Sequence, residues 1–221
     1  MNISYTSFSG RTFLLCLILL MGGCQTAYYS TMEKFGVHKR DILVDRVEAA
    51  RNSQEDAKDQ FKTALERFSD VLGFEGGDLK LKYDQLNKEF KRSEGKANEV
   101  RKRIEAVESV SEALFDEWES ELEQYSNQSM RRTSQSNLSK TRKQYKRLIK
   151  AMKNAERRID PVINVFRDHV LFLKHNLNAQ AIASLQNELV SVKTNVNRLI
   201  REMEASIKVA DQFIQSMSKK K

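Results

Sequence analysis

Apolar residues recur at alternating steps of three and four positions over almost the whole chain after residue 38. This spacing places them on one face of a helix, whereas a strand would bury every second residue. A single Pro and eight Gly in 221 residues leave few positions that would interrupt long helices. We therefore predict an all-α fold of long antiparallel coiled-coil-like helices, arranged as an up-down-up-down four-helix bundle.

Three polar turns divide this pattern into four helical segments. The run GFEGGD ends the first segment with glycine, and Asp78 is expected to cap the second helix. The run SNQS separates the second segment from the third, with Ser129 as the expected N-cap, and HNLN separates the third from the last. Pro161 lies inside the third segment without shifting its apolar phase. It therefore predicts a kink and not a reversal of the chain.

Charge is distributed unevenly on the second and third segments. Residues 104–124 hold eight acidic and no basic side chains, whereas residues 131–158 hold eleven basic side chains and one acidic. Because the chain turns near Asn127, we expect the two stretches to face each other at residue numbers that add up to 255. The expected ion pairs are Glu105 with Lys150, Glu108 with Arg147, and Glu112 with Lys143.

The N-terminal residues have the pattern of a secretion signal. Arg11 precedes nine apolar residues, Phe13 to Met21, a run much shorter than the roughly 20 residues of a membrane-spanning helix. Small residues ending directly in cysteine are similar to a bacterial lipobox, in which the thiol receives lipid and becomes the new N-terminus. The alternative is an ordinary secretory signal with an unmodified cysteine. The expected processing site is Met21, Gly22 and Gly23, with lipid on Cys24.

A lipidated Cys24 would hold the chain stably at a membrane, because each buried methylene contributes about 0.8 kcal/mol. Gln25 after the cysteine is similar to lipoproteins delivered to the outer membrane. Cys16, the other cysteine, lies in the segment that would be removed, so no disulfide is expected. We expect residues 1–23 to be the signal, 24–38 a lipidated tether, 39–217 the helical bundle and 218–221 a basic tail.

The basic stretch is the first candidate for a binding surface. We interpret it as the partner of the acidic second helix, and the alternative is contact with anionic lipid or cell-wall polymer. Nucleic acid is not an expected partner, because an exported lipoprotein does not meet chromosomal DNA. The candidate contact residues are Arg131, Arg132, Lys140, Lys146, Lys153 and Arg157.

The second candidate surface is the run VLFLKHNLNAQAIASLQ, residues 170–186, which has few charges and many amides. We interpret it as a packed tip at one end of the bundle, and the alternative is a surface that docks an unidentified envelope protein. The sequence leaves open whether the four segments close on themselves or share their apolar faces with a second copy of the chain. The candidate docking residues are Phe172, His175, Asn176, Asn178 and Gln180.

No catalytic motif is recognisable in the chain. The run FEGGDLK lacks the pattern of a phosphate-binding loop. His169 and His175 are six residues apart, whereas a helical metal pair needs residues four apart. We therefore expect no enzyme activity, no cofactor and no metal.

Four long stretches of the chain are similar to one known family. They read CQTAYYSTMEKFGVHKRDILVDRVEAAR, GGDLKLKYDQLN, ALFDEWESELEQYS and VLFLKHNLNAQAIASLQNEL. They resemble proteobacterial lipoproteins that share a domain of unknown function numbered 2959. The resemblance implies a helical lipoprotein of the cell envelope, without an activity or functional residues. We expect a scaffold, spacer or adaptor on the outer membrane that faces the periplasm.

Overall fold

The computed structural model describes residues 37–73 and 78–218. The predicted signal, the predicted lipidation site, most of the predicted tether, residues 74–77 and the terminal lysines lie outside the described residues. The described part consists of helices and the links between them, and it contains no strand. Its helices are α1 (Lys39–Leu72), α2 (Leu79–Leu122), α3 (Gln128–His175), α4 (Ala179–Gln186) and α5 (Leu189–Ser218). The predicted all-α fold is confirmed.

The four long helices pack as a closed ring. α1 lies between α2 and α5, and α3 lies between the same two neighbours on the opposite side. Neighbouring helices run in opposite directions. Lys39 at the start of α1 pairs with Glu117 of α2, and Asp56 further along α1 pairs with Lys96 of α2. Residue numbers therefore rise along α1 as they fall along α2. The described residues therefore form an up-down-up-down bundle, and the short α4 packs against α1 and α3 at one end.

The predicted apolar positions form the core of the bundle. Every predicted apolar position of α1, from Leu43 to Val71, is buried. Phe61 and Phe68 have no exposed surface at all, and burial of each contributes roughly 1.5–3 kcal/mol. The α1 core also contains Gln54, a fully buried amide that the apolar pattern did not predict.

Two of the helix starts test the predicted caps. The side chain of Asp78 accepts a hydrogen bond from the backbone N–H of Leu81 at 3.2 Å, which confirms it as the N-cap of α2. The predicted cap of α3, Ser129, is wrong. Asn127 caps this helix, because its Oδ1 accepts hydrogen bonds from the N–H groups of Ser129 and Met130 at 2.9 and 3.1 Å.

α3 continues through Pro161 to His175, so the chain does not reverse at the proline. Proline cannot donate to the carbonyl four residues earlier. Pro161 and Arg157 are both exposed, and the carbonyl of Arg157 can bond to water instead. The next turn falls at residues 176–178, as predicted.

The prediction of one continuous last segment is wrong. This part of the chain consists of α4 and α5, separated at Asn187 and Glu188. The Nε2 of Gln186 donates a hydrogen bond to the carbonyl of Leu72 at 2.8 Å, which holds α4 against the end of α1. Between the two helices the backbone of Asn187 keeps right-handed helical angles, φ −65° and ψ −26°.

The α2–α3 turn projects beyond the four-helix section. Lys39, the first residue of α1, bonds to Glu117 at 2.7 Å, and Ser216 near the end of α5 bonds to Gln144 at 3.3 Å. Residues 118–143 therefore extend past the ends of α1 and α5, and we call them the hairpin extension. A small separate core lies there, built from Phe115, Leu122 and Leu138 with Trp118, Tyr125 and Tyr145 packed against it.

Ion pairs confirm that the acidic part of α2 faces the basic part of α3, but the predicted register is wrong. Glu108 pairs with Lys153 at 2.9 Å, and Glu119 pairs with Arg142. The residue numbers of both pairs add up to 261, which is six more than expected. Helical side chains lean toward the N-terminus of their own helix, and in an antiparallel pair both leans act in the same sense. The three expected pairs, Glu105–Lys150, Glu108–Arg147 and Glu112–Lys143, are not formed.

Candidate functional site

α3 carries the excess positive charge of the protein. It contains thirteen Lys and Arg but only three Asp and Glu, a formal charge of +10, which exceeds the +8 of the whole chain. The formal charges of α1, α2 and α5 are −1, −2 and +1. Attraction for anions is therefore concentrated on one helix.

On the side of α3 that faces α2, four charges are paired. Four charged residues recur there at intervals of eleven and seven positions, which places them on one side of the helix. Each forms an ion pair with a residue of α2. The four pairs are Arg142 with Glu119, Lys153 with Glu108, Asp160 with Arg101, and Arg167 with Glu94.

These pairs hold their members in the charged state. The hydrogen bond from Arg142 lowers the pKa of Glu119. Partial burial acts to lower the pKa of Lys153, but its hydrogen bonds to Glu108 and Glu156 outweigh that effect and raise it. Both groups are therefore ionised at neutral pH, and the α2-facing side of α3 offers little free charge.

The other sides of α3 are different. Of the eleven basic residues between 131 and 158, only Arg142 and Lys153 form ion pairs with described residues. The interpretation that the acidic helix neutralises this stretch is therefore wrong for nine residues. Eight of the nine lie outside the row of residues that pair with α2, and we call them the cationic face. They are Arg132, Lys143, Lys146, Lys150 and Arg157, which point outward, and Lys140, Arg147 and Arg158, toward α5.

One cleft shows that Lys140, Arg147 and Arg158 are directed toward α5. Arg147 lines a small cleft with Phe213 and Ser216 of α5. Lys140 lies seven residues before Arg147 and Arg158 eleven residues after it, and both intervals return to the same side of a helix. All eight side chains of the cationic face are exposed.

The structure divides the six predicted contact residues. Arg131, Arg132, Lys140 and Lys146 are exposed and form no ion pair with a described residue. Lys153 pairs with Glu108 and Glu156, and Arg157 donates a hydrogen bond to Asn154 while staying exposed. Sequence reasoning missed Lys143, Arg147, Lys150 and Arg158, although their helical spacing was a signal that could have found them.

An open cleft of about 410 Å³ lies between α2 and α3 in the hairpin extension. Its lining combines the apolar side chains of Leu122 and Leu138 with the ammonium groups of Lys143 and Lys146. Two members of the cationic face therefore stand beside an apolar surface, a combination that suits an amphiphilic anion.

The predicted docking residues lie at the opposite end of the bundle from the hairpin extension. Phe172 and His175 end α3 and are exposed, and Gln180 is exposed on α4. Asn176 and Asn178 have local roles: the amide of Asn176 donates to the carbonyl of Phe172, and Asn178 caps α4 through the N–H of Ala181. Exposed apolar side chains that sequence reasoning missed lie at the same end, namely Leu81, Leu171, Leu177 and Val190.

His169 is the one described histidine that is buried. Its ring stacks on Phe68, with centroids 4.7 Å apart and planes 9° apart, and its Nδ1 has no hydrogen-bond partner. Burial lowers the pKa of His169, although the nearby charges of Glu188 and Asp168 oppose this effect. The ring is therefore a neutral member of the core.

A metal site and a membrane-spanning helix are both absent from the described residues. No group of three or more His, Cys, Asp or Glu side chains in residues 37–73 and 78–218 could hold a metal ion. Among the same residues, no helix is sufficiently long and apolar to cross a membrane.

Comparison with known proteins identifies the family. A family model described as a protein of unknown function, DUF2959, matches residues 28–217. The chain belongs to this family. The match includes all five described helices, so the cationic face and the far end of the bundle both lie within the DUF2959 region. No curated protein and no solved structure matches the chain significantly.

Proposed function

We propose that this DUF2959 protein is a lipid-anchored protein of the cell envelope that acts as a scaffold, spacer or adaptor, without catalytic activity. Lipid on Cys24, after processing at Met21 to Gly23, would attach it to the outer membrane with the bundle in the periplasm. The apolar run that ends in Gly-Gly-Cys supports the anchor.

The observation that carries the proposal is the separation of the two ends of the bundle. α1 begins two residues after Val37, beside the hairpin extension, so a tether would enter the bundle at that end. Of the six large apolar side chains that are exposed among the described residues, five lie at the other end: Leu81, Leu171, Phe172, Leu177 and Val190. The 34 residues of α1 separate the ends by about 50 Å. A rigid body of this kind suits an adaptor that is attached at one end and docks a partner at the other.

Metabolic labelling with a clickable palmitate analogue tests the anchor. Wild type, Cys24→Ser and Cys16→Ser are compared, followed by fractionation of the membranes by density. We expect label on wild type and Cys16→Ser but not on Cys24→Ser, with the labelled protein in the outer-membrane fraction. An unlabelled wild-type protein that keeps residues 1–23 would refute the proposal.

A second candidate function is the binding of anionic lipid or cell-wall polymer through α3. The observation that favours it is the set of nine basic residues between 131 and 158 that form no ion pair with a described residue. Binding of this kind depends steeply on salt, because exposed charges are screened over about 8 Å at physiological ionic strength. Docking of a protein through the apolar end would instead be insensitive to salt.

A further inference from the structure

We propose that the cationic face of α3 is a contact surface for a bilayer of anionic phospholipid, and that the bundle lies along this bilayer on its α3 side. The proposal rests on the lipid-anchored function above and narrows it, since a bundle that lies flat is a scaffold along the membrane and not an upright spacer.

The arrangement of the outward charges is the first argument. Arg132, Lys143, Lys146, Lys150 and Arg157 follow one another at intervals of eleven, three, four and seven residues, which form a straight line along the helix. The line is about 37 Å long. α3 contains no acidic residue before Glu156, so none interrupts the line up to that point. The charges thus run parallel to the bundle axis, and all of them can touch a flat surface only when the bundle lies down.

The shape of the surface selects a bilayer over a nucleic acid or another strand-like polymer. The line lies on the convex outer side of a helix and not in a groove that could enclose a strand. Single-stranded nucleic acid is typically held by aromatic side chains on which bases stack. The aromatic residues of α3 near the line, Tyr145 and Phe166, are directed into the apolar cores instead. Flexible lysines on a convex face are suited to a flat layer of phosphate headgroups.

The neighbouring helices are consistent with this orientation. On the α2 side, the ion pairs of Arg142 and Lys153 separate the line from the acidic helix. On the α5 side, Arg198 and Arg201 are exposed and form no ion pair with a described residue. α2 retains carboxylates that pair with no described residue, among them Glu105 and Glu112, so contact on the α2 side is unfavourable. The protein would therefore rest on α3 and its α5 side.

The tether is long enough for this orientation. α1, which follows the tether, lies diagonally across the ring from α3. With neighbouring helix axes 8–10 Å apart, its axis is roughly 20 Å from a surface that touches α3. The twelve residues between Cys24 and Val37 can span about 40 Å when extended. An anchor in the same bilayer therefore leaves α3 free to reach the headgroups.

Vesicle binding by residues 25–221, a chain that keeps every described residue and lacks cysteine, provides the test. Vesicles of zwitterionic lipid with and without phosphatidylglycerol are compared in a sedimentation assay. The triple variant Lys143→Gln, Lys146→Gln, Lys150→Gln is matched by Lys88→Gln, Lys91→Gln, Lys102→Gln on α2. All six lysines are exposed and form no ion pair within the described part of the chain, so the two variants lose the same charge.

We expect binding that requires phosphatidylglycerol and becomes about a hundredfold weaker in the α3 variant, at roughly 1 kcal/mol per lysine. The α2 variant is expected to bind within about threefold of wild type. Equal losses in both variants would show attraction by net charge alone and would overturn the proposal. So would binding to polyphosphate or single-stranded DNA, lost in the α3 variant, without binding to any vesicle.

Labels report the orientation separately. A fluorophore on Ser139→Cys, which is exposed within the cationic face, is compared with one on Asn52→Cys, exposed on α1. Anionic vesicles should shield the first label from a neutral aqueous quencher and leave the second accessible. Equal accessibility would contradict the orientation. These assays use a chain without Cys24, so failure of the lipid anchor and failure of this surface are distinguished by separate results.

Discussion

The four-helix section and the hairpin extension are built from the same kind of sequence but differ in the number of neighbours that each helix has. In the four-helix section every long helix packs against two others, and the core contains fully buried residues such as Phe61 and Ile104. In the extension α2 and α3 have only each other, and the buried residues are Leu122, Leu138 and Thr141. The comparison shows that apolar spacing determines where helices form, whereas the number of packed helices determines how firmly they are held.

The largest effect should come from a core residue of the four-helix section. Phe61→Ala removes a fully buried ring and leaves a cavity, and we expect it to lower the free energy of unfolding by about 3–5 kcal/mol. Urea denaturation of residues 25–221, followed by circular dichroism, measures this loss. Lys62→Ala, the exposed neighbour, is the control and should change stability by less than about 0.5 kcal/mol. A loss below about 1 kcal/mol for Phe61→Ala would contradict the predicted packing.

Leu138→Ala should act locally in the hairpin extension. The side chain is buried in the small separate core, so we expect local opening to become easier by about 2 kcal/mol or more. Hydrogen exchange should show weaker protection of amides in residues 118–138, while global unfolding changes by less than about 1 kcal/mol. An equally large loss in global stability would mean that the extension unfolds only together with the rest of the bundle.

Sequence reasoning predicted the elements more successfully than their contacts. The apolar spacing predicted the α1 core from Leu43 to Val71, and the cap by Asp78 followed from its position directly after a glycine-rich turn. The break at Asn187 was not visible in the spacing, because α4 is set by its packing against the end of α1. Local pattern contains no information about such a distant contact.

The candidate surface was predicted in part for a related reason. Counting charges located the basic stretch. The predicted ion pairs, however, joined residues at the same level along the two helix axes and ignored the lean of helical side chains. Glu108 was therefore assigned to Arg147, whereas it pairs with Lys153. The consequence was an overestimate of how much of the stretch is neutralised. Spacing on the helix would have separated the paired side, with Arg142, from the outward side, with Lys143 and Lys150.

Acid should lower the stability of the four-helix section more than that of the extension. The effect should be smaller than that of Phe61→Ala or Leu138→Ala. Burial lowers the pKa of His169 below its ordinary value of 6.5, so the unfolded chain binds the proton more readily than the folded chain does. The stability contributed by neutral His169 is present above pH 6.5 and is lost as the pH falls toward the lowered pKa. The extension contains no histidine.

Urea denaturation between pH 5 and 7.5 measures this contribution. His169→Gln should reduce the loss of stability on acidification, whereas His175→Gln, at an exposed histidine, should leave it as in wild type. An identical pH dependence for wild type and His169→Gln would refute the assignment of the effect to the buried ring.

The smallest effect concerns the register between α2 and α3. A double-mutant cycle with Glu108→Gln and Lys153→Gln should give a coupling energy of about 0.2–1 kcal/mol, because the pair is partly exposed. The matched cycle with Glu108→Gln and Arg147→Gln should give about zero. A larger coupling in the second cycle would restore the register in which paired residue numbers add up to 255.

The division into a four-helix section and a two-helix extension is tested most directly by native-state hydrogen exchange of residues 25–221 at increasing urea concentrations. We predict that amides in residues 118–138 exchange through a local opening, with a lower free energy than the amides of α1 from Ala50 to Ala64 and of α2 from Ala97 to Val107. The two groups should merge only as the urea concentration approaches the unfolding transition. A single free energy of exchange for both groups in the absence of urea would contradict the division.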